Sequence, residues 1–164
     1  MRTGEELAPL EIAVTRTLIV AGAIASRDYQ DVHHDAETAR RKGSPDIFMN
    51  ILTTNGLVGR YVTDRLGPAT VLRKVAIRLG APNYPGDTMV LSGRVTAVGE
   101  DGTAEVAVVG TNGIGRHVTG TVTVALPAAP AAPAAPAAPA APAAPAERDE
   151  RDERDERDER EGAA

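Results

Sequence analysis

An acid and a histidine five residues apart, Asp28 and His33, are the side chains of this chain best suited to proton transfer. They lie in the segment RDYQDVHH, where two of the chain's three histidines, His33 and His34, are adjacent. A carboxylate and an imidazole commonly move protons near neutral pH, because an unperturbed histidine titrates at about pH 6.5. A short irregular loop can bring side chains at this spacing together. The segment is therefore either a catalytic dyad or an ordinary polar turn.

The same loop offers His33, His34 and Asp35 as metal ligands. Three adjacent residues on one loop point in different directions, and no fourth ligand is evident in the sequence. We therefore predict that the chain holds no metal. Cysteine is absent, which excludes disulfides and thiolate ligands.

Helix signals flank the loop on both sides. Thr15 is a suitable N-cap for a helix that ends at Ser26, although its Leu-Ile-Val segment is also compatible with a strand. After the loop, Asp35 caps a short polar helix that Gly43 closes. The loop is thus predicted to lie between two helix ends.

The longest helical pattern of the chain covers residues 47–66 and is stopped by Gly67-Pro68. It contains a stripe of small residues, Gly56, Gly59 and Thr63. Glycine costs a helix up to about 1 kcal/mol relative to alanine. This stripe is explained if a strongly curved sheet packs very close to the helix backbone.

Alternating apolar and polar residues predict the strands. Residues 1–9 look frayed, and a short strand is expected at 10–14, before the helices. Four more strands follow them, at 71–79, 88–98, 104–110 and 116–126. On the last strand, the alternation places Val118, Val122 and Val124 inward and His117 outward. One long helix followed by an antiparallel meander of four strands predicts an α+β fold, with the sheet wrapped around the helix.

The C-terminal part of the chain is low in complexity. Proline recurs every third residue from Pro127 to Pro145, which predicts a stiff linker over 127–146. An ERD repeat follows, and residues 147–164 are predicted to be a charged, disordered tail. Five arginines and ten acids give this tail a charge of −5, which is the net charge of the whole chain. The folded part, predicted to be a single domain over 1–126, is neutral.

Composition excludes several classes of protein. A neutral domain with one Phe, three Tyr and no Trp lacks the positive field and the stacking surface of a nucleic-acid binder. The longest apolar run, residues 18–25, is far shorter than the roughly 20 residues that cross a bilayer, and no basic segment precedes it as in a signal peptide. We therefore expect a cytoplasmic protein without nucleic-acid or membrane partners.

These residues and elements resemble the MaoC-like hot-dog family, whose (R)-specific enoyl-CoA hydratases carry the pattern D-x-N-P-(aliphatic)-H. Asp28 and His33 hold the acid and histidine positions, whereas Gln30 and Asp31 replace the Asn-Pro pair. The turn at 84–88, YPGDT, is similar to the family's entry into its second long strand. The resemblance implies a hot-dog fold.

Residues 8–126 resemble more specifically the small MaoC-like subunit of actinobacterial steroid side-chain enoyl-CoA hydratases, including the Gln-Asp replacement. This likeness implies hydration of the α,β-double bond of a steroid side-chain CoA thioester, which is a substrate, so no cofactor is expected. It also implies a heterotetramer with a larger MaoC-like subunit. That subunit carries an extra C-terminal domain, which engages a thiolase-like aldolase.

The resemblance further implies roles for individual residues. Asp28 and His33 would hold the attacking water, in roles that the sequence does not assign. A backbone N–H at the start of the long helix would stabilise the enolate oxygen, and Met49, Asn50 and Gly56 would contact the substrate. Two alternatives stay open. Instead of a dyad-bearing subunit, the chain would be a non-catalytic hot-dog subunit that completes a partner's site, or a homodimeric hydratase or dehydratase of ordinary fatty acyl thioesters.

Overall fold

A five-stranded antiparallel sheet is the framework of the chain in the computed structural model, which describes residues 1–126. The strands are β1 (Glu6–Val14), β2 (Val71–Leu79), β3 (Asp87–Val98), β4 (Thr103–Asn112) and β5 (Gly115–Ala125). The helices are α1 (Arg16–Ala25), α2 (Ala36–Arg41) and α3 (Ile51–Leu66). These elements confirm the predicted α+β class. The predicted linker (127–146) and charged tail (147–164) lie outside the described residues.

The strand order β1-β3-β4-β5-β2 corrects the predicted meander of four consecutive strands. Only β3, β4 and β5 form a meander, and β2 pairs with β5 at the far edge, where Val75 lies opposite Val122. The connection 80–86 must therefore cross about 14 Å, the width of three strand spacings. Seven nearly extended residues reach about 23 Å, so a turn-like sequence is also long enough for this crossing.

The first strand is longer than predicted. β1 begins at Glu6, which lies opposite Arg94 of β3, so residues 1–9 are not all frayed. The pairing register shifts between Leu7 and Leu10, around Pro9. Proline cannot donate a backbone hydrogen bond. The register shift also interrupts the alternation of apolar and polar residues, so the alternation did not predict this part of the strand.

The long helix begins at Ile51, four residues later than predicted. The segment 47–50 is held in an extended course by neighbouring chain segments. The N–H of Phe48 donates to the carbonyl of Val32 (3.1 Å), and the N–H of Met49 donates to the carbonyl of Asn83 (3.1 Å). These bonds to distant residues were invisible to a local helical pattern.

Helix α3 packs against the curved sheet through a fully buried face, which carries Val58, Gly59, Tyr61 and Val62. A Cβ atom added to Gly59 would lie 3.3 Å from the Leu72 side chain of β2, so the predicted close approach is confirmed there. Gly56 differs, because a Cβ at that position would meet nothing within 4 Å. Among the described residues, no helix is long and apolar enough to cross a membrane.

Candidate active site

The end of helix α1 positions Asp28. The N–H of Asp28 donates to the carbonyl of Ala23 (2.9 Å), and the N–H of Arg27 donates to that of Ile24 (3.1 Å). This pair of bonds is a Schellman cap, with Arg27 in the left-handed region at φ 56°. The cap turns the chain sharply, so that the Asp28 carboxylate points back toward the start of α3.

A short 3-10 turn, Asp31–His33, positions the histidine. Its imidazole is buried, with the Nδ1 atom 2.7 Å from the carbonyl oxygen of Phe48. The Phe48 ring meets the imidazole edge-on, with centroids 5.1 Å apart. The extended segment before α3 therefore holds the ring from two sides.

The Nε2 atom of His33 lies 3.3 Å from the Oδ2 atom of Asp28. A carbonyl oxygen can only accept a hydrogen bond, so the Nδ1 atom of His33 carries a proton toward Phe48. Proton exchange at this imidazole therefore takes place at Nε2, which faces Asp28. The structure thus brings together the acid and the histidine that the sequence paired.

Asn50 is the N-cap of α3. Its Oδ1 atom accepts from the N–H of Thr53 (2.9 Å), which fixes the orientation of the amide. Its Nδ2 group then donates both to Oγ of Ser26 (2.8 Å) and to Oδ2 of Asp28 (3.0 Å). Asn50 is 2% exposed, and its two N–H donors are both used within the protein.

A cavity of about 290 Å³ opens beside the Asp28–His33 pair. Asp28, His33 and Asn50 line this cavity, and so do residues 79–82. Met49 and Asn50, two of the predicted substrate-binding residues, line this cavity. The third, Gly56, does not. It lines a separate groove of about 320 Å³ between α1 and α3, and its predicted contact with the substrate stays a prediction.

His117 also lines the cavity, and the prediction that it points outward is wrong. The β4–β5 register shifts between Gly110 and Thr111, which leaves His117 as an extra residue on β5. Such a bulge re-aims a side chain, which strict alternation cannot anticipate. The sequence contained one clue, since His117 breaks a run of threonines on that face.

The surroundings of the His117 imidazole favour its neutral form. Its Nδ1 atom donates to the carbonyl of Ala81 (2.7 Å), and its Nε2 atom lies 2.9 Å from the Thr54 hydroxyl. Burial lowers the pKa of His117, because a charged imidazole would lose its hydration, although the bond to Ala81 opposes this effect. His117 thereby connects β5 both to Thr54 of α3 and to Ala81 in the cavity lining.

The remaining polar residues of the loop have other partners. The Nε2 atom of His34 lies 3.2 Å from the carbonyl oxygen of Tyr29, on the protein surface. The carboxylate of Asp35 caps α2 by accepting from the N–H groups of Glu37 and Thr38. Nowhere in residues 1–126 do three His, Asp or Glu side chains converge as metal ligands.

The start of α3 presents amide groups beside the dyad. The Oδ1 atom of Asn50 accepts from the N–H of Thr53, and its backbone carbonyl accepts from the N–H of Thr54. No described residue accepts from the N–H groups of Ile51 or Leu52. Because helix N-termini favour negative charge, these groups can bind an oxyanion. Ile51 lines the cavity.

Comparison with known proteins gives a relative over most of the described chain. The chain is 50% identical over 123 residues to the 3-oxo-4,17-pregnadiene-20-carboxyl-CoA hydratase beta subunit of Mycobacterium tuberculosis, a match that spans 75% of this chain and 95% of the relative. It also superposes on a chain of the ChsH1-ChsH2 complex from the same organism. That match has a TM-score of 0.75 at 49% identity and covers 77% of this chain and 99% of the other.

More distant structures share the fold alone. The R-hydratase PhaJ1 from Pseudomonas aeruginosa matches with a TM-score of 0.71 at 20% identity, over 77% of this chain and 83% of that chain. No protein-family model matches the chain. The high identity to a named hydratase subunit, together with the hot-dog architecture, establishes the family of the chain. The chain therefore belongs to the MaoC-like hot-dog family of hydratase enzymes.

Proposed function

We propose that this chain is the dyad-bearing subunit of a heteromeric hydratase that adds water to a steroid side-chain enoyl-CoA. The observation that carries this proposal is the contact between Asp28 and His33, 3.3 Å from Oδ2 to Nε2, at the wall of a cavity. A pair that can both accept and donate a proton is what hydration of a double bond requires.

The reaction divides into two proton movements. Asp28 and His33 hold one water molecule, whose oxygen bonds to the β-carbon of the thioester. One of the two side chains takes a proton from this water, and a proton passes to the α-carbon. Because the Phe48 carbonyl binds Nδ1 of His33, the imidazole takes part through Nε2. General acid–base catalysis of this kind contributes typically about 10²–10⁴-fold.

Negative charge develops on the thioester oxygen when water attacks. The amide groups of Ile51 and Leu52 support the proposed oxyanion site, since they lie at the start of α3, where the helix dipole also favours an anion. The Asn50 side chain is less suited to this task, because Ser26 and Asp28 take both of its N–H donors.

The position of the cavity supports a partner subunit. The cavity-lining residues 79–82 begin at the last residue of β2, which is an edge strand of the sheet. Val71 and Leu72 on this strand are apolar and 50% and 42% exposed. An unpaired edge with exposed apolar residues is a natural place for a second chain. We infer that a larger MaoC-like subunit joins at this edge and completes the cavity, as a heterotetramer that further engages a thiolase-like aldolase.

The substrate class follows from the relative, whose name specifies a pregnadiene-carboxyl-CoA. The cavity of about 290 Å³ within this chain is at the lower end of the 300–1,000 Å³ typical of ligand pockets. A steroid attached to CoA therefore requires surface beyond this subunit, which agrees with a shared active site.

The test is a hydration assay on the chain alone and on the chain co-expressed with the proposed larger MaoC-like subunit. Loss of the enoyl-thioester absorbance is followed with a steroid side-chain substrate and with crotonyl-CoA. We expect turnover of the steroid thioester only by the complex. Turnover of crotonyl-CoA by the chain alone as a homodimer would contradict the proposal and favour a fatty acyl hydratase.

A further inference from the structure

We propose that Asn50 is a positioning residue, which fixes the Asp28 carboxylate for proton transfer and does not bind the substrate. This inference rests on the proposed Asp28–His33 dyad. It departs from the role that the sequence predicted for Asn50, and it follows from the hydrogen bonds that its amide makes.

The orientation of the Asn50 amide is determined by its partners. The backbone N–H of Thr53 can only donate, so the amide oxygen must face it (2.9 Å) and the amide nitrogen must face away. The Ser26 hydroxyl donates to the carbonyl of Gly22 (2.8 Å) and therefore offers a lone pair to Asn50. Helix termini on both sides thus hold the amide.

The second N–H of Asn50 reaches Oδ2 of Asp28 at 3.0 Å. This is the same carboxylate oxygen that lies 3.3 Å from Nε2 of His33. One oxygen is therefore shared between a neutral donor and the imidazole. The other, Oδ1, has within the described chain only a long contact of 3.5 Å to the N–H of Gln30. Because Asn50 and His33 both contact Oδ2, the Oδ1 atom of Asp28 is available to a water molecule.

The sequence around Asp28 explains why the hydrogen bond from Asn50 matters. The loop has Gln30 at the position where the resembling family carries an asparagine, and Gln30 is exposed. Asp28 is 16% exposed and follows the strained cap residue Arg27. A carboxylate at the start of a short loop has rotamer freedom, and a single well-placed donor can restrict it. Asn50 supplies that donor from the rigid start of α3.

The consequence for catalysis is twofold. A hydrogen-bond donor stabilises the charged form of a carboxylate. It also keeps the carboxylate in the rotamer that faces His33. The other titratable side chain of the cavity, His117, is occupied by Thr54 and Ala81 and does not contact Asp28.

Asn50→Ser and Asn50→Asp separate this role from helix capping. Serine and aspartate are both good N-cap residues, so either variant keeps an oxygen for Thr53. Serine lacks the donor to Asp28, and aspartate replaces it with a second carboxylate. The control is Thr15→Ala, which removes the N-cap of α1 at the end far from Asp28.

The measurement is the pH dependence of kcat and kcat/KM in the complex with the larger subunit. We expect Asn50→Ser to lower kcat about 10-fold with little change in KM, and to move the acid limb of kcat/KM to higher pH, because a donor to the carboxylate is lost. Asn50→Asp should move that limb further. Thr15→Ala should leave it in place.

Three outcomes would overturn the proposal. An Asn50→Ser variant with wild-type rate and profile would show that Asp28 needs no hydrogen bond from Asn50. A lower kcat with an unmoved acid limb would show that Asn50 does not act through the Asp28 carboxylate. A raised KM with unchanged kcat would restore Asn50 as a substrate contact.

A double-mutant cycle separates this inference from the proposed dyad. If Asn50 acts through Asp28, Asn50→Ser should cost nothing further in an Asp28→Asn background. If Asp28→Asn itself keeps wild-type turnover, the proposed dyad is wrong. If Asp28→Asn keeps a low but measurable rate and the cost of Asn50→Ser in that background is additive, only the role of Asn50 is wrong.

Discussion

At the scale of single residues, two buried histidines differ in what surrounds their second nitrogen. Both donate from Nδ1 to a backbone carbonyl, His33 to Phe48 and His117 to Ala81. The Nε2 atom of His33 faces a carboxylate, whereas that of His117 faces the Thr54 hydroxyl. His33 can therefore exchange a proton with a charged partner, and His117 is a neutral structural link.

The buried, neutral state of His117 makes stability depend on pH. Its pKa is lowered in the folded protein, whereas an unfolded histidine takes up a proton at about pH 6.5. Its contribution is therefore complete above about pH 6.5 and is lost as the pH falls toward the folded pKa. We expect His117→Asn to weaken the decline in the free energy of unfolding between pH 7.5 and 5.5, measured by urea denaturation.

His34→Asn is the matched control for this prediction, because His34 is an exposed histidine of the same chain. It should leave the slope of stability against pH as in the wild type. An equal change of slope in both variants would contradict a special role for the burial of His117.

The sequence predicted the residues of the site unevenly. Asp28 and His33 were found because they are close in the chain, at the only loop with a suitable acid and histidine. Asn50 was found, but its hydrogen bonds to Ser26 and Asp28 depend on how two helix ends meet. His117 was misplaced because a bulge in β5, which no local pattern encodes, turns it inward.

At the scale of elements, helices α1 and α3 pack closely enough at one point to exclude a methyl group. A Cβ atom added to Gly22 of α1 would overlap the Thr53 side chain, including its hydroxyl. This contact sets the distance between Ser26, at the end of α1, and Asn50, at the start of α3. The close approach therefore helps to define the geometry around Asp28.

Gly22→Ala should separate the two helices and destabilise the protein by about 1–3 kcal/mol. The matched control is Gly56→Ala on α3, where the added methyl meets nothing within 4 Å. That variant should gain up to about 1 kcal/mol, because alanine is the better helix former. Thermal and urea unfolding measure both. A stabilising Gly22→Ala would contradict the packing.

Gly56→Ala also tests the predicted substrate contact of Gly56. The structure places this residue in the groove between α1 and α3, apart from the cavity beside the dyad. If the substrate is confined to that cavity, KM should not change in the variant. A several-fold increase in KM would place part of the substrate in the groove.

At the scale of the whole molecule, the helix-on-sheet architecture was predictable, but its strand order was not. Alternation and turn residues identified each strand after α3. The pairing of β2 with β5 instead of β3 depends on the crossing by residues 80–86, whose composition is that of an ordinary turn. Residues 80–82 of this crossing line the cavity, so this part of the cavity was missed together with the topology.

The sheet and core of the described residues extend as far as Leu126. Leu126, just after β5, donates to the carbonyl of Gly102 (2.9 Å) and packs against the core cluster. We expect a chain ending at residue 126 to keep the free energy of unfolding and the hydration rate of the complex. Loss of assembly in size-exclusion chromatography would show that residues 127–164 contact the partner.

The central claim is that Asp28 and His33 together perform the chemistry. The most direct test is steady-state hydration of the steroid enoyl-CoA by complexes that contain Asp28→Asn, His33→Ala or both. Each single variant should lower kcat by about 10²–10⁴-fold, and the double variant should cost little more, because the two side chains act as a unit. Wild-type turnover in both single variants, with the complex intact, would contradict the account and leave the chain as a non-catalytic subunit.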